Sequence, residues 1–255
     1  MAEFDSWAAL YDTLHPGLMG EAQFYVTRAL AQGGPALELG CGTGRIALAV
    51  ALSGLDVVGL DVSERMLDVA ADKLDALGEV SGQVELVLGD MRDFDLERQF
   101  AFIAMPYRSF MHLHEPQDQL NCLSAVREHL APGGLFVFNT WEARPSRIAT
   151  FTGQHRHVDR LPLGDTGLSL VHGMSTRADE HAQRLFEEHI VHEVDADGLI
   201  EGSYSLSLER TYSSFRELQQ LILRSGFDVV EVLGDFRGEP RDEGTTEMIW
   251  VLRAG

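Results

Sequence analysis

Cysteine is nearly absent from this chain. Cys41 and Cys122 are the only two among 255 residues, too few for a disulfide framework. A reduced, cytoplasmic setting is therefore the expectation. Long apolar runs are missing too: none approaches the roughly 20 residues that span a bilayer. The opening Met-Ala-Glu-Phe-Asp-Ser-Trp has neither the basic start nor the apolar stretch of a signal peptide. Positive charge is scarce, with 20 Lys and Arg against 40 Asp and Glu and a formal net charge of −20. A surface so negative repels phosphate backbones and anionic lipid, which excludes nucleic acid and membrane as expected partners. The acidity reads either as solubility or a saline habitat, or as steering of a cationic substrate. What remains is ordinary globular composition, 45% hydrophobic and 24% charged, with ample core for one large domain or one domain carrying an insertion.

Against that background one stretch stands out, Ala36-Leu-Glu-Leu-Gly-Cys-Gly-Thr-Gly-Arg45. An apolar, strand-like run ends at Gly40, Gly42 and Gly44, and a new helical apolar pattern (Ile46, Leu48, Ala49, Val50, Leu52) starts directly behind them. Glycine is needed where backbone takes positive φ or where a ligand lies on bare main chain. The stretch therefore reads as a ligand-facing turn from strand to helix. Its G-x-G-x-G spacing is shorter than the G-x-G-x-x-G of dinucleotide-binding turns, which disfavours a nicotinamide-dependent dehydrogenase.

Strand and helix patterns alternate around this turn. Two helical stretches fill residues 4 to 32, broken at His15-Pro16-Gly17, the first with Phe4, Trp7, Ala8 and Tyr11 at helical spacing. Strands are expected at Ala36–Leu39, Leu55–Leu60, Val84–Leu88, Phe100–Met105 and Leu135–Asn139, with helices between them and Ser63 as an N-cap. Such alternation argues for a parallel sheet with helices on both faces and ligands beyond the carboxyl ends of its strands, near Gly40, Asp61, Asp90, Met105 and Asn139. From about Glu142 to Tyr212 helical periodicity gives way to alternation, which reads as an antiparallel insertion of three or four strands. The α/β pattern resumes with a helix over Ser214–Ser225 and strands at Phe227–Leu233 and Glu247–Leu252.

Four motifs in this order, Glu38-Leu-Gly-Cys-Gly-Thr-Gly44, Gly59-Leu-Asp-Val-Ser63 with Met66-Leu67, Gly89-Asp-Met-Arg-Asp-Phe94 and Leu130-Ala-Pro-Gly-Gly134, resemble the class I S-adenosylmethionine (SAM)-dependent methyltransferases. The resemblance covers residues 36–141 and 213–253. With Tyr11-Asp-Thr-Leu-His15 and the inserted sheet, it extends to small-molecule enzymes such as the amino-sugar N,N-dimethyltransferases and the glycine/sarcosine N-methyltransferases. It implies an α/β fold, a Rossmann-like seven-stranded sheet, with the antiparallel insertion acting as a lid. The implied organisation is a SAM-binding core at 1–141 and 213–255, including an N-terminal helical lid at 1–32, and an inserted subdomain at 142–212.

The resemblance also implies roles. The glycine turn, Gly40, Gly42 and Gly44, would lie against the methionine and ribose of SAM, with Glu38 toward its amino group and Arg45 alongside. Asp61 would accept both ribose hydroxyls, as a carboxylate can, with Val62 beside it. Met66 would pack on adenine or simply fill the core. Asp90 and Met91 would hold the adenine edge, Met105 would offer main chain near the methionine, and Tyr11 would contact the methionine end.

Methyl transfer asks the protein for position and desolvation, and for a base where the acceptor must lose a proton. His112 and His15 are the candidate bases, each also readable as a satisfied or solvent-facing side chain. Arg108 would hold an anionic group or serve as an ion-pair partner. The pairs His112-Leu-His114 and His155-Arg-His157 have zinc-ligand spacing but no evident third ligand, so no metal is expected. The expected activity is SAM-dependent methylation of a small molecule at an amine nitrogen, with S-adenosylhomocysteine as product, in a monomer or homodimer. An O- or S-methyltransferase and a non-catalytic SAM- or SAH-binding protein remain alternatives.

Overall fold

The computed structural model describes residues 4–164 and 166–255, so the first three residues of the expected N-terminal helical segment and Asp165 within the expected insertion lie outside it. In chain order the elements begin with α1 (Tyr11–Leu14), α2 (Glu21–Gln32), β1 (Ala36–Leu39), α3 (Arg45–Leu52), β2 (Val57–Asp61) and α4 (Glu64–Leu77). They continue with β3 (Val84–Leu88), β4 (Phe100–Met105), a 3-10 turn at Ser109–His112, α5 (Pro116–His129) and β5 (Leu130–Trp141). Next come α6 (Pro145–Ile148), β6 (Arg156–Pro162), β7 (Ser169–Asp179), β8 (Arg184–Val194) and β9 (Ile200–Thr211). The chain closes with α7 (Phe215–Arg224), β10 (Phe227–Leu233) and β11 (Glu247–Ala254). The helix expected from Phe4 is largely turn and is helical only over Tyr11–Leu14. His15-Pro16 explains the short run, because the residue before proline is pushed out of the helical region.

Two compact units emerge. Among the described residues, one comprises Phe4–Asp5, Gly17–Glu142 and Ser213–Gly255; the other comprises Ser6–Pro16 and Ala143–Tyr212. In the first unit seven strands lie in the order β10-β11-β5-β4-β1-β2-β3. β3, β2, β1, β4 and β5 are parallel, while β11 is antiparallel to both β5 and β10. β1 and β4 are neighbours although α3, β2, α4 and β3 intervene in sequence, and at such a reversal of strand order crossovers leave to opposite faces. The crevice of a doubly wound sheet therefore opens beyond Leu39 and Met105.

The sheet is buried on both faces, as crossover helices require. One face packs Leu37, Leu39, Ile103, Phe136, Phe138 and Trp250 against α5 and α7. The other packs Ala36, Val57, Phe102 and Val137 against Tyr25 of α2 and Ile46 and Val50 of α3. Strand alternation then puts Glu38 and Asp61 on this second face, at the carboxyl ends of β1 and β2. In the second unit β6-β7-β8-β9 form an antiparallel sheet, four strands within the expected three or four.

Local signals fix the helix starts. Ser63 caps α4 by accepting the Met66 N–H at 3.2 Å. Ser214 and Glu217 form a reciprocal capping box at α7. Core and cap should separate in magnitude. Phe138→Ala removes a fully buried ring and should cost about 3–5 kcal/mol, against about 1 kcal/mol for Ser214→Ala, both read from urea unfolding midpoints.

Candidate active site

The three glycines at the end of β1 all take positive φ: 66° at Gly40, 55° at Gly42 and 76° at Gly44. Their surroundings differ. A Cβ on Gly44 would press on Ala70 and Leu48, so that glycine lets α3 approach α4. A Cβ on Gly42 would meet nothing within 4 Å, so there the bare backbone faces open space. The turn is held from β2: Leu60 O accepts the N–H groups of Gly40 and Cys41, and Asp61 Oδ2 accepts the Gly42 N–H at 2.7 Å. Asp61 Oδ1 accepts the Ser63 N–H at 2.9 Å, so one carboxylate ties the glycine turn to the start of α4. Burial raises the Asp61 pKa, opposed by these amide bonds and by His112. Beyond it, Val62 is exposed.

Glu38 is buried, with Oε2 lacking any hydrogen-bond partner. Burial pushes its carboxyl up to about 8, against the pull of Arg45 and of the Ala47 N–H. Arg45, first residue of α3, pairs with the fully buried Glu21 of α2 at 2.8 Å and lies over the Tyr107 ring. Glu21 also accepts the N–H of Tyr107 at 3.0 Å and of Leu18 at 3.2 Å.

Tyr107 and Arg108, beyond β4, are consecutive non-glycine residues at positive φ, 55° and 67°. Such strain persists only where neighbours impose it. Here Glu21 holds one amide and Asn139 Oδ1 the other, at 3.4 Å, while Glu247 of β11 binds the Arg108 guanidinium. Asn139 donates to Glu247 at 2.9 Å and accepts from the Tyr25 hydroxyl at 3.2 Å. Of the two readings of Arg108, the ion-pair partner is the one this geometry displays.

The remaining predicted residues divide. Met105 and Met66 are buried, and Met91 packs partly against the core. Asp90 is bound by the Arg92 guanidinium at 2.6 Å, which holds its carboxyl below the usual range, so an adenine contact would share that oxygen pair. His112 stands on the 3-10 turn after β4, edge-on to Phe4 at 5.3 Å. Among the described residues no group of three or more His, Cys, Asp or Glu could hold a metal ion.

Tyr11 and His15 belong instead to the second unit. There the His15 ring stacks on Trp7 at 5.6 Å, and Trp7 meets His189 edge-on at 5.0 Å. His189 Nδ1 lies 2.9 Å from His172 Nε2, its Nε2 lies 3.6 Å from Glu187, and Arg210 donates to Glu187. Burial, with His189 and His172 nearby, lowers the His15 pKa to about 3; burial and His189 lower His172 to about 4. Burial alone would raise Glu187, but Arg210 and His189 overcome it and bring the carboxyl to about 2. Glu21, Glu247, Glu187, His172 and His189 carried no local sequence signal, because each partner lies far along the chain or across a strand pair.

Two measurements follow from these networks. Glu21→Ala removes the acceptor shared by Arg45, Tyr107 and Leu18 and should lower urea stability by about 3–5 kcal/mol. His172 has a folded pKa below its ordinary value, so the unfolded chain binds the proton first as pH falls. Its contribution is complete above about 6.5 and is lost toward about 4. The parent should therefore lose more stability than His172→Gln between about pH 7 and about pH 4.

The glycine turn with open space at Gly42, an unpartnered buried carboxyl at Glu38 and a carboxylate at Asp61 fits a nucleoside ligand that also carries a cation. Comparison with known proteins agrees. Residues 36–134 match a family model described as a methyltransferase domain. The cypemycin N-terminal methyltransferase of a Streptomyces species is 28% identical over 219 residues, 85% of this chain and 81% of that protein. The dTDP-4-amino-2,3,4,6-tetradeoxy-D-glucose N,N-dimethyltransferase of Saccharopolyspora spinosa is 26% identical over 67% of this chain and 69% of that protein. The solved CcbJ methyltransferase of Streptomyces caelestis superposes with a TM-score of 0.80 at 29% identity, covering 98% of this chain and 96% of that one. Residues 36–134 thus carry a methyltransferase domain that opens on the glycine turn and has SAM as its cofactor, and the chain as a whole is similar to SAM-dependent methyltransferases.

Proposed function

We propose that the chain methylates an amine nitrogen of a small molecule, with His112 as the proton acceptor. The observation that carries this reading is the similarity, across most of the chain, to one protein named as an N-terminal methyltransferase and another named as an N,N-dimethyltransferase of an amino sugar nucleotide. The cofactor supplies an activated methyl group on a sulfonium. The chain's own residues bind, orient and exclude water.

In this reading Asp61 takes ribose hydroxyls and Glu38 the amino group, which the Asp61 bond to the Gly42 amide and the unpartnered Glu38 Oε2 support. The strained Tyr107–Arg108 segment beyond β4, fixed by Glu21, Asn139 and Glu247, is a preorganised edge for the acceptor. An amine that arrives as ammonium must lose a proton before it can attack. His15, lowered to about 3, is a weak base at neutral pH, and His112 is the candidate that stands on the turn directly beyond β4.

Incubation with methyl-labelled SAM and a panel of amino sugar nucleotides, peptides with free N-termini, phenols and thiols tests the reading. Label on amines alone is expected. Label only on phenols or thiols overturns it in favour of O- or S-transfer, and SAM binding without transfer to any acceptor class points to a binding protein. Asp61→Ala should weaken SAM binding by about tenfold or more, since two charge-assisted hydrogen bonds are lost. Unchanged affinity by calorimetry would remove Asp61 from the ribose.

A further inference from the structure

The buried acid at the end of β1 faces an unusual balance of charge. Glu38 Oε2 is enclosed and has no hydrogen-bond partner, while the carboxyl's contact with α3 is the Ala47 N–H. The guanidinium that acts on it, Arg45, is already paired with Glu21 of α2. Asp61 of β2 adds a second carboxylate, bound by two amides. The other titratable neighbours are Tyr25 of α2 and Cys41 of the turn, and burial holds both well above their ordinary pKa and hence neutral. On the β4 side the residue in register is Ala104, which offers no charge. His112 lies by Asp61 and acts on its charge. An ionised Glu38 would therefore make three carboxylates around a single guanidinium, in a place where burial makes each unpaired charge costly.

A protein can leave such a charge uncompensated only if something else brings the cation. SAM carries two, the ammonium and the sulfonium, so the argument does not depend on which of them lies nearer. We propose that cofactor binding here is coupled to proton release: Glu38 holds a proton while no cation is bound, and passes it to solvent when the cationic cofactor enters. The O–H bond of the neutral carboxyl breaks, the proton goes to water or buffer, and the remaining carboxylate pairs with the incoming cation. The raised pKa of Glu38, to about 8, agrees with this direction. Linkage then requires that affinity increase with pH for as long as the free protein is protonated at Glu38.

Isothermal calorimetry of the full chain with SAM, in buffers of different ionisation enthalpy, counts the protons directly. The window is about pH 6 to 7, where an α-amino group with an ordinary pKa of about 7.7–8.0 is already an ammonium and does not itself exchange. The expected result is release approaching one proton per SAM bound, with affinity rising up to about tenfold per pH unit. Adenosine, which shares the nucleoside but has no cation, should release none. Glu38→Gln should abolish the release, while His112→Ala should retain it.

SAM binding without proton release overturns the proposal while leaving the cofactor intact; absence of any SAM binding would instead strike the cofactor assignment itself. Release that survives in Glu38→Gln but vanishes in His112→Ala assigns the proton to the histidine and overturns it as well. Infrared difference spectra of the parent with labelled glutamate carboxyls give a second readout should the Gln variant fail to fold. A protonated-carboxyl C=O band must disappear on addition of SAM, and a spectrum without that loss refutes the mechanism.

Discussion

Everything at this site depends on one buried acid that touches no ligand in any of the roles assigned above. Glu21 is fully buried at the start of α2, where it pairs with Arg45 and accepts the amides of Leu18 and Tyr107. It thereby fixes, at one point, the approach to α2, the first residue after the glycine turn and the segment that leaves β4. Arg45 in turn packs so closely on Gly17 that any Cβ there would collide with its guanidinium. Burying an ion pair gives little net stability compared with apolar packing, so its value lies in geometry. Without Glu21 the positive φ of Tyr107 would lack its amide partner, and the strain at the crevice edge would relax.

The second fixed point is Asp61, and it shows why the cofactor half of the site could be read from sequence. Gly42, Asp61 and Ser63 lie within about twenty residues, and their hydrogen bonds join adjacent parallel strands. Local turn chemistry and strand order suffice to bring them together. The glycine turn, the strand ends at Asp61 and Asp90, the Ser63 cap and the nested antiparallel sheet were all legible for this reason.

Other features were not legible, and the reason is distance along the chain. Arg108 and Glu247 are 139 residues apart, Tyr107 and Glu21 are 86 apart, and no periodicity announces such a pairing. The assignment of Ser6–Pro16 to the same unit as Ala143–Tyr212 was equally hidden. Helical spacing at Phe4, Trp7, Ala8 and Tyr11 suggested a helix, but most of that stretch is turn. Trp7 packs on His15 and His189 instead of lining one face of a helix. In β8 the alternation correctly marked a strand, yet alternation cannot tell that the inward positions hold Glu187 and His189 as well as Leu185 and Val191.

Two buried acids, Glu38 and Glu187, show how differently the two units compensate a buried carboxyl. Glu187 has Arg210 on its carboxylate and His189 beside it, and its pKa falls to about 2 because the compensating charge is built in. Glu38 has no such partner, and its pKa rises to about 8. Desolvation raises the pKa of both side chains; Glu187 is brought down by direct hydrogen bonds and charge from Arg210 and His189, whereas Arg45 only partly offsets burial at Glu38, where Glu21 and Asp61 add to it. A carboxyl completed by its own protein is a structural element; a carboxyl left incomplete at the carboxyl end of β1, beside a glycine with open space before it, is a receptor for positive charge. Charge compensation of the buried carboxyl is thus what separates Glu187 in the second unit from Glu38 beside the glycine turn, and it does so independently of the glycine motif that first marked the place.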